Sequence, residues 1–267
     1  MDIVINYVND RNEVITKENR KSNFFKVMKN LQNVNLPMEK ENIKVEFQDN
    51  ELIQKLINRR MIEEKDIEQN KHLYNEIERE EIRYNIEKGL QLIKILHSDL
   101  HDLIQLLTGS YICFRKKGFG GGSVSSIIGL TWLSPPKTWS VVDYAEAIYH
   151  EFIHNSLFLD DMVNSVFPDP KACAEDEALV TSTILKRKRP LDRAYHSACV
   201  AVGIMHFYYM LRDFKKLKSF YKPLCKTIEE LNNKKQYLGE RGIETLKGLN
   251  NFIDKQDYKS ISQFLKF

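Results

Sequence analysis

Along residues 76–107 the apolar positions Ile82, Ile86, Leu90, Ile93, Leu96, Leu100, Leu103 and Leu107 recur every three or four residues. That interval is the repeat of one helix face, and Glu, Arg and Lys fill the face opposite. The run "EIEREEIR" within it reads as a solvated surface carrying i,i+4 ion pairs, not as a binding segment. The whole stretch from about 51 to 108 therefore predicts long helices. Residues before it are polar and rich in Asn and Lys, broken by apolar pieces such as "FFKVMKNL". They predict a helix and a strand or two.

The glycines of "GFGGG", Gly118 to Gly122, end this helical texture. They lack the Lys-Ser/Thr sequel of a phosphate loop and do not match G-x-G-x-x-G opening a helix, so they read as a flexible loop or hairpin. "SVSSIIGLTWLSPP" follows, β-branched and aromatic at its centre and closed by Pro135 and Pro136, which predicts a strand. A helix is expected from Asp143 to about Asp160, with Ser140 as its cap and Asp143 as a helix-start acid. Phe167 to Lys171 is a Pro-bearing loop, and "ACAEDEALVTSTIL" predicts a further helix. After the basic turn "KRKRP", Pro190 favours a new helix start. "LDRAYHSACVAVGIMHFYYMLRDF" is long and nearly apolar, so it must be largely buried. Two or three amphipathic helices are expected from Lys215 onward. The fold class is mainly α (α+β), a helical protein with a small β element. Residues 1–110 are expected to form a mostly helical N-terminal region and residues 111–267 a second region ending in the C-terminal helices, the two making one compact unit.

Composition changes this picture little. The chain has 267 residues, 42% hydrophobic and 29% charged, enough for a sizeable core. Forty basic residues nearly balance thirty-seven acidic ones, which gives no case for a nucleic-acid partner. No apolar run approaches the length of a membrane span, and the N-terminus lacks the pattern of a secretory signal. Cys113, Cys173, Cys199 and Cys225 lie far apart with no C-x-x-C spacing, which suits thiols in a reducing cytoplasm better than a disulfide framework or a cysteine zinc site.

The chemistry concentrates in "YAEAIYHEFIHNSLFLDD". His150 and His154 are four residues apart, so on a helix both imidazoles aim at one point, as in helical metal sites. Glu151 can reach the metal's open side or a bound water. His97 and His101 share the spacing without the Glu and read as a surface pair. Asp160 and Asp161 are read as helix-terminating acids, and Trp132 and Trp139 as packing residues. The strand ending at "LSPP" offers an edge on which an extended peptide substrate would pair. A third ligand is required, and two donors are credible. Glu175 or Glu177, downstream on the expected helix, would give the layout of a thermolysin-like zinc protease, with Zn(II) and Glu151 as general base. His196, in the middle of the apolar helix, would be costly there without a partner and satisfied by a metal. His206, expected at a polar edge, is the lesser candidate.

Three segments resemble a known family. "GLTWLSP", "YAEAIYHEFIHNSLFLDD" and "KRKRPLDRAYHSACVAVGIMHFY" are similar to the strand, the A-E-x-x-x-H-E-x-x-H helix and the R-P-L segment of the HExxH-type peptide-modification proteins found with ribosomally made peptide natural products. Characterised members are Fe(II)- and 2-oxoglutarate-dependent peptide β-hydroxylases. The resemblance covers residues 129–210 and implies that His150, His154 and His196 ligate iron. It makes Glu151 an orienting group, and Arg189 the partner of a 2-oxoglutarate carboxylate, a task suited to a bidentate guanidinium. The chain departs from the family in "ILKRKRP", where Pro-Trp-Arg is usual, and in Ser197, where Gly often follows the histidine. Arg187 and Arg193 therefore compete with Arg189. The implied substrate is a peptide, such as a ribosomally made precursor, hydroxylated at an unactivated carbon.

Overall fold

A computed structural model describes residues 17–39 and 42–265. The chain is mainly helical with a small β element, and it divides into two compact units, one ending at Asn155 and the next beginning at Ser156.

In the first unit, α1 (Lys17–Gln32) precedes β1 (Lys44–Glu46), α2 (Asn50–Asn58) and the short α3 (Glu64–Ile67). Two longer helices follow, α4 (Glu76–Leu96) and α5 (Ser98–Leu107). The apolar stripe read over 76–107 is thus shared by two helices. Its Ile82, Ile86, Leu90, Ile93, Leu100 and Leu107 are buried. The break falls at His97, which leaves helical geometry (φ −160°, ψ 98°) and whose Nδ1 accepts from Leu100 N–H at 3.1 Å, capping α5. His97 and His101 are half-buried, not a surface pair.

The sheet runs β1–β2–β4–β3, with β2 (Ser110–Cys113), β3 (Gly121–Ser123) and β4 (Leu130–Leu133). β1, β2 and β4 are parallel, and β3 returns antiparallel to β4, so the glycine run is one arm of a hairpin. The strand ending at "LSPP" lies inside the sheet, and β1 and β3 are its edges. β1 pairs with β2, so the regions expected before and after residue 110 share one sheet.

β2 and β4 are buried at every position, as suits strands covered on both faces. Alternation sorts their side chains. Ile112, Leu130 and Trp132 join Leu52, Ile53 and Leu56 of α2 in one apolar cluster. Thr131 and Ser123, paired across the hairpin, point the other way, toward α6 (Val141–Asn164). Gly122 lies opposite Trp132, where a Cβ would come within 2.6 Å of the indole Nε1. Trp139 packs edge-on to Tyr144, 5.3 Å between centroids. Gly89 of α4 meets the Tyr144–Ala145 backbone, where a Cβ would stand 3.1 Å from Ala145 N. That contact brings α4 close to the start of α6.

In the second unit α7 (Leu191–Met210) is buried along most of its length, as its composition requires. Pro190 occupies its N-cap position. The amphipathic helices α8 (Phe214–Asn232), α9 (Glu240–Lys255) and α10 (Tyr258–Phe264) follow. The segment "ACAEDEALVTSTIL" departs from the expected helix. It makes two 3-10 turns, Ala172–Ala174 and Asp176–Ala178, and then β5 (Val180–Thr181), which pairs with β6 (Lys188–Arg189). The β-branched Val180 and Thr181 favour the extended form. Thr181 is held there by Glu230 of α8, whose carboxylate accepts from its N–H at 2.6 Å and its hydroxyl at 2.9 Å. All four cysteines are free thiols.

Candidate metal centre

The central helix is set up by its first turn. Ser140 N–H donates to Asp143 Oδ2 at 2.7 Å while Asp143 N–H faces Ser140 Oγ at 3.3 Å, a reciprocal cap. Asp143 is thus a capping acid. The helix runs one turn past Asp160, to Asn164. Neither Asp160 nor Asp161 terminates it. Asp160 pairs with Arg241 at 3.1 Å, and Asp161 accepts from Phe167 N–H at 2.9 Å.

His150 and His154 sit one turn apart on this unbroken helix, both half-buried, with ring centroids 5.1 Å apart and planes tilted by 51°. Burial pushes the His150 imidazole down to about 4, so the ring is neutral near pH 7, the form a metal requires. Glu151 is buried, and burial pushes its carboxyl up to about 7 against the lowering effect of the Ser123 hydroxyl. Ser123 Oγ donates to Glu151 Oε2 at 2.8 Å, and Oε1 lies 3.9 Å from His150 Nε2.

Asn155, the residue after His154, extends this polar contact. Its Nδ2 lies 3.1 Å from Ser123 Oγ, 3.3 Å from Thr131 Oγ1 and 3.2 Å from Glu151 O, and its Oδ1 accepts from Gly129 N–H at 3.0 Å. Nothing in the reading of the motif singled out Ser123, Thr131 or Asn155. Only the register of the hairpin against α6 reveals them.

In the second unit, His196 is 6% exposed, packed beside the rings of Phe158 (centroids 4.9 Å apart) and Phe167 (6.0 Å). Burial pushes it down to about 4, again toward the neutral form. Ser197, which replaces the family's glycine, accepts from Ser182 Oγ at 2.8 Å and from Ile184 N–H at 2.9 Å, tying α7 to the turn before β6. Arg189 is half-buried, while Arg187 and Arg193 are exposed. Burial lowers the Arg189 pKa, the Arg193 and Arg187 charges lower it further, and Asp192 opposes them. The three guanidiniums make this turn a region of positive potential.

Glu175 and Glu177 are exposed, Glu175 between the two 3-10 turns and Glu177 on the second. His206 is fully buried, with Nε2 2.8 Å from Ser262 Oγ of α10, and so does not lie at a polar edge. Among the described residues no three His, Cys, Asp or Glu side chains gather as a metal-holding group. His150 and His154 belong to the first unit and His196 to the second. Among the described residues no helix is long and apolar enough to cross a membrane. In comparisons with known proteins, no family model matches the chain and no characterised protein aligns with it significantly.

Proposed function

We propose that this chain is an Fe(II)- and 2-oxoglutarate-dependent hydroxylase acting on an unactivated carbon of a peptide, such as a ribosomally made precursor, in the cytoplasm. The observation that carries the reading is the pair of imidazoles of His150 and His154, one turn apart on one helix with a buried carboxylate beside them. Such a pair suits two positions of a metal's coordination sphere. His196, buried and held in its neutral form, is the proposed third ligand. The choice of iron and 2-oxoglutarate rests on the resemblance of residues 129–210 to the peptide β-hydroxylases. The cationic turn at Arg189 supports it, because a dianionic co-substrate complements that charge.

When bound, iron supplies the activation of O₂ that couples decarboxylation of 2-oxoglutarate to hydroxylation. The chain supplies binding and orientation. Arg189, with Arg193 four residues on, would pair with the co-substrate carboxylate. Glu151 steadies a group bound next to His150.

The test is anaerobic reconstitution with Fe(II) and 2-oxoglutarate, followed by visible absorption. A charge-transfer band that needs both additions and is lost in His196→Ala supports the proposal. Absence of the band, with one zinc ion retained in His196→Ala but lost in Glu175→Ala or Glu177→Ala, would replace it with a zinc metallopeptidase in which Glu151 is the base.

A further inference from the structure

Ser123 carries a single hydroxyl proton, and the surrounding contacts decide where it goes. The Asn155 amide is oriented by Gly129, whose backbone N–H donates to Oδ1 at 3.0 Å. Nδ2 must then be the end that faces the hairpin, and it donates to Ser123 Oγ at 3.1 Å. With a lone pair of Ser123 so engaged, its proton is left for an acceptor. Glu151 Oε2 is nearest at 2.8 Å, against 3.4 Å to Thr131 Oγ1 and 3.5 Å to Glu151 O. The hydrogen bonds therefore run in one direction, from Gly129 through Asn155 and Ser123 into one oxygen of the carboxylate. Glu151 is buried, so water does not compete freely for that oxygen.

The other oxygen is on the His150 side, 3.9 Å from Nε2. Gly121 of β3 borders that side: a Cβ there would make ordinary contact with Oε1 at 3.7 Å, while the close approach that calls for glycine is to the Trp132 carbonyl oxygen, at 2.8 Å. We infer that Ser123 is a positioning residue for Glu151, holding Oε2 against the β3–β4 hairpin so that Oε1 alone is presented beside His150. The inference deepens the proposed function, and the role of Oε1 in a reaction rests on that reading. The positioning itself is a property of the chain alone.

The experiment is NMR of the metal-free protein with ¹³C-labelled histidine, with the His150 ring resonance assigned by substitution. Ser123→Ala frees the carboxylate and is expected to shift the His150 signal, while Ser123→Thr, which keeps the hydroxyl, restores it. In a Glu151→Ala background Ser123→Ala is expected to leave the His150 signal where Glu151→Ala alone puts it. An unmoved His150 signal in Ser123→Ala, or an equal shift in both backgrounds, overturns the inference. Ser123→Cys, nearly isosteric and a much weaker donor, gives the same reading should the alanine variant fold poorly. If the loaded enzyme turns over, Ser123→Ala and Glu151→Ala should each lower activity, on the order of 10-fold, and the double variant should be no worse than Glu151→Ala. Loss of the iron reading would show as a missing charge-transfer band in the unaltered chain, while the histidine shifts stand.

Discussion

Asn155 follows His154 in the chain and directs its amide at the sheet. It joins the helix to both arms of the hairpin through one side chain, reaching Ser123 on β3, Thr131 on β4 and the Gly129 N–H between them. Those groups are buried, so removing the amide leaves the Gly129 N–H without its acceptor and the Ser123 hydroxyl without its donor. Asn155→Ala is expected to lower stability by about 1–3 kcal/mol, the usual cost of stranding a buried polar group. Urea unfolding should show a lower midpoint at unchanged slope. A loss within the ~0.5 kcal/mol typical of a surface substitution would mean that water replaces the amide. The residue gave no warning in the sequence. An Asn after a histidine is ordinary, and its partners lie 24–32 positions away.

The helix α4 shows the same separation of local from distant information. Its period and its apolar face were readable from spacing alone. Asn75 and Glu78 form a reciprocal cap, with Glu78 N–H on Asn75 Oδ1 at 2.9 Å and Asn75 N–H on Glu78 Oε2 at 3.0 Å. What the spacing did not reveal is that Glu78 also binds Arg115, Nη2 to Oε2 at 2.5 Å, a residue that follows β2. The Arg115 hydrogen bond and then the Asn75 N–H hold the Glu78 carboxyl down at about 2, from an ordinary value of 4.5. A lowered carboxylate stabilises the fold above its unfolded value, and the contribution is lost as pH falls through the folded value. Glu78→Gln should therefore melt earlier than the unaltered chain at pH 7. The gap should narrow as pH falls from about 5 to about 2, and added salt should shrink it because Arg115 is partly exposed. A gap independent of pH would mean that the charge on Glu78 does not stabilise the fold, and the prediction would fail. The mistaken helix at "ACAEDEALVTSTIL" has the converse origin. Its apolar spacing suited a helix, but Thr181 is held in a strand by Glu230 and Thr183 in the following turn by Thr227.

At the scale of the molecule, the long helices and the small β element could be read from period and punctuation. The parallel pairing of Lys44–Glu46 with Ser110–Ile112 could not, because strands of three or four residues carry little pattern and their partners lie far along the chain. The site divides in the same way. His150, Glu151 and His154 share one helix, and four-residue spacing was enough to pair them. The preference for His196 over His206 came from a polar edge expected for His206 and from the resemblance, and metal binding can separate the two histidines. Both are buried in α7, and His206 is hydrogen-bonded to Ser262 of α10. A metal that binds only the folded chain adds about 2.7 kcal/mol at a hundredfold excess over its Kd. For a chain of this size that is a rise in melting midpoint of roughly 5–10 °C. Under anaerobic conditions Fe(II) with 2-oxoglutarate should produce such a rise, and a chelator should reverse it. The rise should vanish in His150→Ala, His154→Ala and His196→Ala. In His206→Ala the metal-free midpoint should fall, because a fully buried ring and its hydrogen bond to Ser262 are lost, yet the rise on adding metal should persist. A rise that survives His196→Ala and disappears in His206→Ala would move the third ligand ten residues along α7, to the histidine now read as structural.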